Sequence, residues 1–151
     1  MNRMRERILI MGFGNPGRKD DGLGPALAQA IEAAGMPGVD ADADYQLNIE
    51  DGASLAGYDA VVFADASLTA PAPFEWRRLS PASSIAFTTH AVSPESVLAV
   101  CEDHFGPAPP AWVLGIRGYE FDFGEGLSRR AVQNLESALD FLREVLESWK
   151  E

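Results

Sequence analysis

Apolar residues fall along this chain in two rhythms, short unbroken runs and stripes that recur every three or four positions. Ile8 to Met11 is the first run, short enough for a buried strand. Leu23, Leu27 and Ile31 then stand four apart and predict a helix from about Gly24 to Ala34, with Pro25 in its first turn and Gly35 as terminator. Ala43 to Ile49, ADYQLNI, reads as a second strand, and Asp51-Gly52 as a turn. Ala60 to Ala64, AVVFA, lacks alternation, which suits a strand covered on both faces and ending at Asp65. Residues 69–84 are rich in Pro, Ala and Ser and predict a surface loop; its Phe74, Trp76, Arg77 and Arg78 either face a partner or fold back over the sheet edge. Ile85 to Thr88 reads as a fourth strand, with His90 just past its end. Ser93-Pro94-Glu95 is an N-cap, a proline at N1 and an acid in the first turn of a helix running through Val97, Leu98, Cys101 and Phe105. After a loop, Gly106 to Pro110, comes a fifth strand, Trp112 to Ile116. Tyr119, Phe121 and Phe123 alternate with Glu120 and Asp122, as in an edge strand or an extended loop. Ser128 is placed to cap a last helix, whose apolar stripe is Val132, Leu135, Leu139, Leu142, Leu146 and Trp149.

Strands alternating with helices predict an α/β fold: a three-layer α/β/α sandwich whose mainly parallel, twisted sheet of about five strands carries helices on both faces. The 151 residues suit a single domain, 1–151. In such a sheet the C-terminal ends of the strands share one edge. Asp21 after the first strand, Asp65 at the end of the third and His90 after the fourth are therefore expected to face one crevice.

Charge narrows the partners. Twelve Lys and Arg against 23 Asp and Glu leave a formal net charge of −11. That field opposes nucleic acid and anionic membranes and is compatible with metals, basic peptides and proteins. One cysteine excludes an internal disulfide and a Cys-rich zinc site. The apolar run near the N-terminus is too short for a signal segment or a membrane span, so a cytoplasmic protein is expected.

The segment ILIMGFGNPGRKDDGLG, Ile8 to Gly24, concentrates the candidate chemistry. Two carboxylates and an imidazole suit a divalent ion of the nickel, zinc, iron or manganese kind, and three protein ligands leave coordination positions open. Neighbouring carboxylates repel, so an incoming cation relieves a built-in strain. Each residue also has a plainer role open to it. Asp21 would serve as a helix cap, Asp65 as a loop tether and His90 as a turn residue. Gly12, Gly14 and Gly17 match G-x-G-x-x-G, but Pro16 and Arg18-Lys19-Asp20-Asp21 intervene before the helix and set acids where a phosphate would sit. No G-x-S-x-G elbow accompanies Ser93. Cys101 reads as a buried helix thiol, His104 as a solvated helix residue, and Glu50 as a turn acid or a further crevice acid. Asp40, Asp42 and Asp44 read as a solvated approach to the second strand rather than a calcium loop.

GFGNPGRKDDGLG, YQLNIED, VVFADAS, THAVSPESVLAV and IRGYEFDFGEGLSRRAVQNLESAL together resemble the nickel–iron hydrogenase maturation endopeptidases, over nearly the whole chain. The resemblance implies a protease that removes a C-terminal extension from the precursor of a hydrogenase large subunit once nickel is inserted. It implies that the enzyme recognises the nickel carried by that substrate and has no metal of its own at rest; a monomer is expected. The family's metal-contacting positions fall on Asp21, Asp65 and His90. Some relatives carry Glu at the first, so Asp21 is a shorter variant, and Asp20 is the less favoured ligand of the pair. Which residue is catalytic stays open: nickel acts on the scissile carbonyl or on water, or it only anchors the substrate while an Asp serves as base. The GNPG loop also resembles peptidyl-tRNA hydrolase, but Asp21-Gly22 stands where that family's histidine belongs. A nickel-sensing scaffold that binds the large subunit without cutting it is the third reading.

Overall fold

The computed structural model describes residues 5–81 and 92–150. The elements run β1 (Ile8–Phe13), a 3-10 turn (Lys19–Gly22), α1 (Leu23–Ala34), β2 (Val39–Asp44), α2 (Asp51–Leu55), β3 (Ala60–Ser67), β4 (Phe74–Leu79), α3 (Pro94–His104), β5 (Ala111–Arg117) and α4 (Arg129–Trp149). The sheet order is β2-β1-β3-β5-β4. Four strands are parallel, and β4 alone pairs antiparallel, with β5. This is the expected three-layer α/β/α arrangement. Ile8 and Ile10 pack under α1 and α4 on one face; Leu9, Met11 and Phe63 pack under α2 and α3 on the other. The unbroken apolar strings of β1 and β3 are thereby explained, because both faces are covered.

Three elements depart from the sequence expectation. The second strand is Val39–Asp44, not Ala43–Ile49. VDADAD alternates: Val39 and Ala41 pack on the α1 side, and the three aspartates stand exposed on the other. Pairing with β1, Ile8 to Val39 through Phe13 to Asp44, outweighs the poor strand propensity of Asp. Asp51-Gly52 opens a short helix rather than a turn, and Gly52 lets that helix press on α3, since a Cβ there would lie 2.8 Å from Val100. The 69–84 segment holds a strand, β4, whose Trp76 stacks on Trp112 of β5 with ring centres 5.8 Å apart. Trp76 also meets Phe141 of α4 edge-on at 5.2 Å. These aromatics therefore fold back over the sheet edge.

Smaller differences follow the same logic. β3 runs on to Ser67, so Asp65 lies within it. Val132 of α4 faces solvent, and Ala131, Asn134 and Ala138 take the inner positions beside Leu142 and Leu146. Ser93 and Ser128 cap α3 and α4 as expected, each accepting the amide three residues on. The expected fourth strand, Ile85 to Thr88, and His90 lie outside the described residues.

Candidate functional site

Gly12 near the end of β1 and Gly14 just after it serve close approach of backbone to backbone. A Cβ on Gly12 would stand 2.1 Å from the carbonyl oxygen of Gly24, so the first turn of α1 rests directly on β1. Gly14 has φ 145°, and a Cβ there would stand 2.0 Å from the carbonyl oxygen of Asp21. The loop thus folds back on itself and sets Asp21 against the end of β1. The space beside Gly12 and Gly14 is filled by this chain's own backbone carbonyls, that beside Gly17 by the Asn15 side chain, and the helix begins only at Leu23, which answers the G-x-G-x-x-G match against a phosphate cradle.

The two adjacent aspartates divide their work. Asp20 is fully buried, and its carboxylate accepts the amides of Tyr119 (2.8 Å), Glu120 (2.9 Å) and Ser128 (2.7 Å) and the Ser128 hydroxyl (2.8 Å). Burial alone would raise its pKa. The amides of Ser128, Glu120 and Tyr119, with the hydroxyl, outweigh that and hold it below the ordinary carboxylate value. Asp20 is therefore a tether. It fixes the loop of residues 118–127, which also pairs with the glycine loop through Lys19 N–H to Gly124 O and Gly124 N–H to Gly17 O, both 2.9 Å. Tyr119, Phe121 and Phe123 accordingly sit on an extended loop.

Asp21 accepts the amide of Asn15 at 2.8 Å, and Asp65 accepts that of Ala66 at 2.8 Å. β1 has β2 on one side and β3 on the other, and α1 and α2 lie on opposite faces. The sheet therefore changes winding direction between β1 and β3, the usual place for a ligand in an open α/β sheet. Asp21 and Asp65 both line the crevice there, about 480 Å³ in volume, with Phe13, Asn15, Arg18 and Leu47. The Asp65 carboxyl is pushed up to about 7, first by burial and further by the charge of Asp21, against the bond from Ala66. Val92, two residues beyond His90 in sequence, lines the crevice too.

Two hard oxygen donors facing one cavity fit part of a divalent-ion site. Among the described residues no group of three or more His, Cys, Asp or Glu side chains is arranged to hold a metal ion. Glu50 is exposed at the start of α2 and does not line the crevice, so the turn reading holds for it. Cys101 is buried and His104 exposed, as expected. Arg18 was not singled out by the sequence. It stands at the mouth of the crevice, donating from Nε to the Phe121 carbonyl at 3.3 Å, with its guanidinium 5.3 Å from the ring centre of the exposed Phe123. Its place in a loop of turns carried no periodic signal. No helix among the described residues is long and apolar enough to cross a membrane.

No protein-family model and no curated protein matches the sequence. Solved structures do match the fold. A [NiFe] hydrogenase maturation protease, HycI, from Thermococcus kodakarensis KOD1 superimposes with TM-score 0.73 at 22% identity, over 95% of this chain and 94% of its own. The hydrogenase maturating endopeptidase HybD from E. coli gives 0.71 at 21%, over 94% and 93%. A hydrogenase 2 maturation peptidase from Thaumarchaeota archaeon SCGC_AB-539-E09 gives 0.70 at 21%, over 93% and 98%. At these identities the likeness is one of fold.

Proposed function

We propose that this protein is an endopeptidase that removes the C-terminal extension of a nickel–iron hydrogenase large-subunit precursor, recognising the nickel ion that the precursor carries. The observation that carries the reading is the pairing of Asp21 and Asp65 across one crevice at the change of winding, with the Asp65 carboxyl pushed up to about 7. Two carboxylates lining one crevice suit an incomplete cation site, and such a site responds to an ion that arrives with its other ligands already in place. The similar solved structures, described as hydrogenase maturation proteases, support the same assignment.

In this reading Asp21 and Asp65 bind the substrate's ion from the sheet side, and His90 supplies a third donor. Asp65 releases its proton as the cation approaches, because the positive charge offsets both its burial and the repulsion from Asp21. A carboxyl near neutrality is also suited to take or return a proton during amide hydrolysis. The protein needs no resident metal and works as a monomer, and it belongs in the cytoplasm, which suits its single cysteine.

Incubation of the purified protein with precursor large subunit, with and without nickel, tests the proposal by mass spectrometry. Loss of the extension only from the nickel-loaded precursor is expected. Equal cleavage of nickel-free precursor would remove nickel recognition, and an intact precursor in a stable complex would make the protein a scaffold. Asp21→Asn and His90→Ala are each expected to abolish processing.

A further inference from the structure

We infer that the free edge of β2 is a docking strand for an extended peptide segment with alternating basic and apolar residues, which it delivers into the Asp21–Asp65 crevice. Strand β2 lies at the end of the sheet, and among the described residues only β1 pairs with it. The register fixes which backbone groups are spare. Gly14 N–H donates to the carbonyl of Asp44, so Asp44, and by alternation Asp42 and Asp40, turn their backbone groups toward β1. Ala41 and Ala43 between them turn N–H and C=O outward, the pattern an incoming strand requires.

The two sides of this edge differ. On one side Asp40, Asp42 and Asp44 form a row of exposed carboxylates at every second residue. Tyr58 holds the first in place, its hydroxyl donating to Asp40 at 2.6 Å. On the other side Ala43 borders an open pocket of about 160 Å³ lined by Gly14, Pro16, Pro25, Gln29 and Tyr45; Asp44, whose carboxylate accepts the amide of Tyr45 at 2.7 Å, reaches its margin at the end of the strand. An added strand presents alternate side chains to these two sides. Basic residues meet the acid row, and a small apolar residue enters the pocket. The edge ends at Tyr45, which lines both this pocket and the crevice of Asp21 and Asp65.

Edge charges also guard against aggregation, and the row does that here. Two copies pairing through β2 would bring carboxylates face to face, so the row rejects a second copy of this chain while favouring a cationic segment. A merely protective edge has no use for the pocket beside it or for the crevice at its end. The other sheet edge, β4, carries the opposite charge in Arg77 and Arg78 and is separated from β3 by β5.

The inference deepens the proposed processing function, since the docked segment would be part of the protein being cut, and the test is independent of cleavage. A fluorescent nine-residue peptide of alternating lysine and valine is titrated into the whole protein, with the anisotropy followed. Two further peptides are N-methylated on the lysines or on the valines. Binding to the unmodified peptide is expected, weakened about tenfold or more by one methylation pattern and changed less than about threefold by the other, because only one set of amides faces β2. Hydrogen exchange is expected to slow at Ala41 and Ala43 in the complex. Asp42→Lys is expected to weaken binding, and a glutamate–valine peptide to fail. Absence of binding up to about 1 mM, equal effects of the two methylation patterns, protection at Phe74–Leu79 instead, or protection of Ala41 and Ala43 by self-association without peptide would each overturn the inference. No hydrogenase is present in the assay. A negative result therefore leaves the processing function standing, and failure of processing leaves a positive result intact.

Discussion

Asp20 accepts the backbone amide of Ser128 at 2.7 Å across 108 residues of sequence, and its second oxygen takes the Ser128 hydroxyl at 2.8 Å. That hydroxyl in turn accepts the amide of Ala131 and caps α4. One buried carboxylate thus fixes the loop of residues 118–127 and the start of the longest helix.

Asp20→Ala is therefore expected to lower stability by about 3 kcal/mol or more, because it strands several buried donors. Thermal unfolding followed by circular dichroism should fall by roughly 10 °C. The acid limb changes as well. The folded pKa of Asp20 is lowered, so its contribution is present above the ordinary carboxylate value and is lost as pH falls through the folded one. The variant is expected to show a flatter decline of stability in acid than the parent.

Asp65 has the opposite sign. Its carboxyl is raised from 3.8 to about 7, so between those values the folded protein holds a proton that the unfolded chain has released. Stability falls as pH rises through that window, by up to roughly 1.4 kcal/mol per pH unit for this group. Asp65→Asn is expected to match the parent near pH 4 and to exceed it in urea denaturation at pH 8, while processing is lost. A variant no more stable than the parent at pH 8 would contradict the burial of this carboxyl.

Asp21 contributes to that elevation through its charge. Asp21→Asn is expected to lower the Asp65 midpoint, readable from the side-chain carboxyl carbon in a pH titration by NMR. An unmoved midpoint would mean that the two carboxylates do not sense one another.

Glycine substitutions separate close packing from backbone conformation. Gly12→Ala places a methyl 2.1 Å from a carbonyl oxygen between β1 and α1, and little soluble folded protein is expected. Gly126 has φ 96° with open space around it. Gly126→Ala is expected to cost only about 1–2 kcal/mol, measured by chemical denaturation.

The parts of the fold that local pattern dictates were legible. The buried runs of β1 and β3, the capped starts of α3 and α4, and the convergence of Asp21 and Asp65 all follow from periodicity and from the shared edge of a parallel sheet. Where distant pairing decides, the sequence was mute or misleading. VDADAD alternates strictly, yet its acids disguise a strand whose place is assigned by β1. FEWRRL sits among prolines and serines, and only β5 and α4 make it an edge. Asp20 and Asp21 look alike in sequence. What distinguishes them is a loop a hundred residues later that fills the coordination of one and leaves the other facing the cavity. The alternation in both strands was the signal available; for Asp20 there was none.

The bond from Asp20 to Ser128 also sets an order of events in biosynthesis. When the glycine loop leaves the ribosome its buried carboxylate has no amides to meet, and it stays hydrated until residues 119, 120 and 128 have followed. The loop of residues 118–127 is thus tied to the glycine loop only after residue 128 has been made, and a chain that stops short of it leaves the Asp20 carboxylate without its partners.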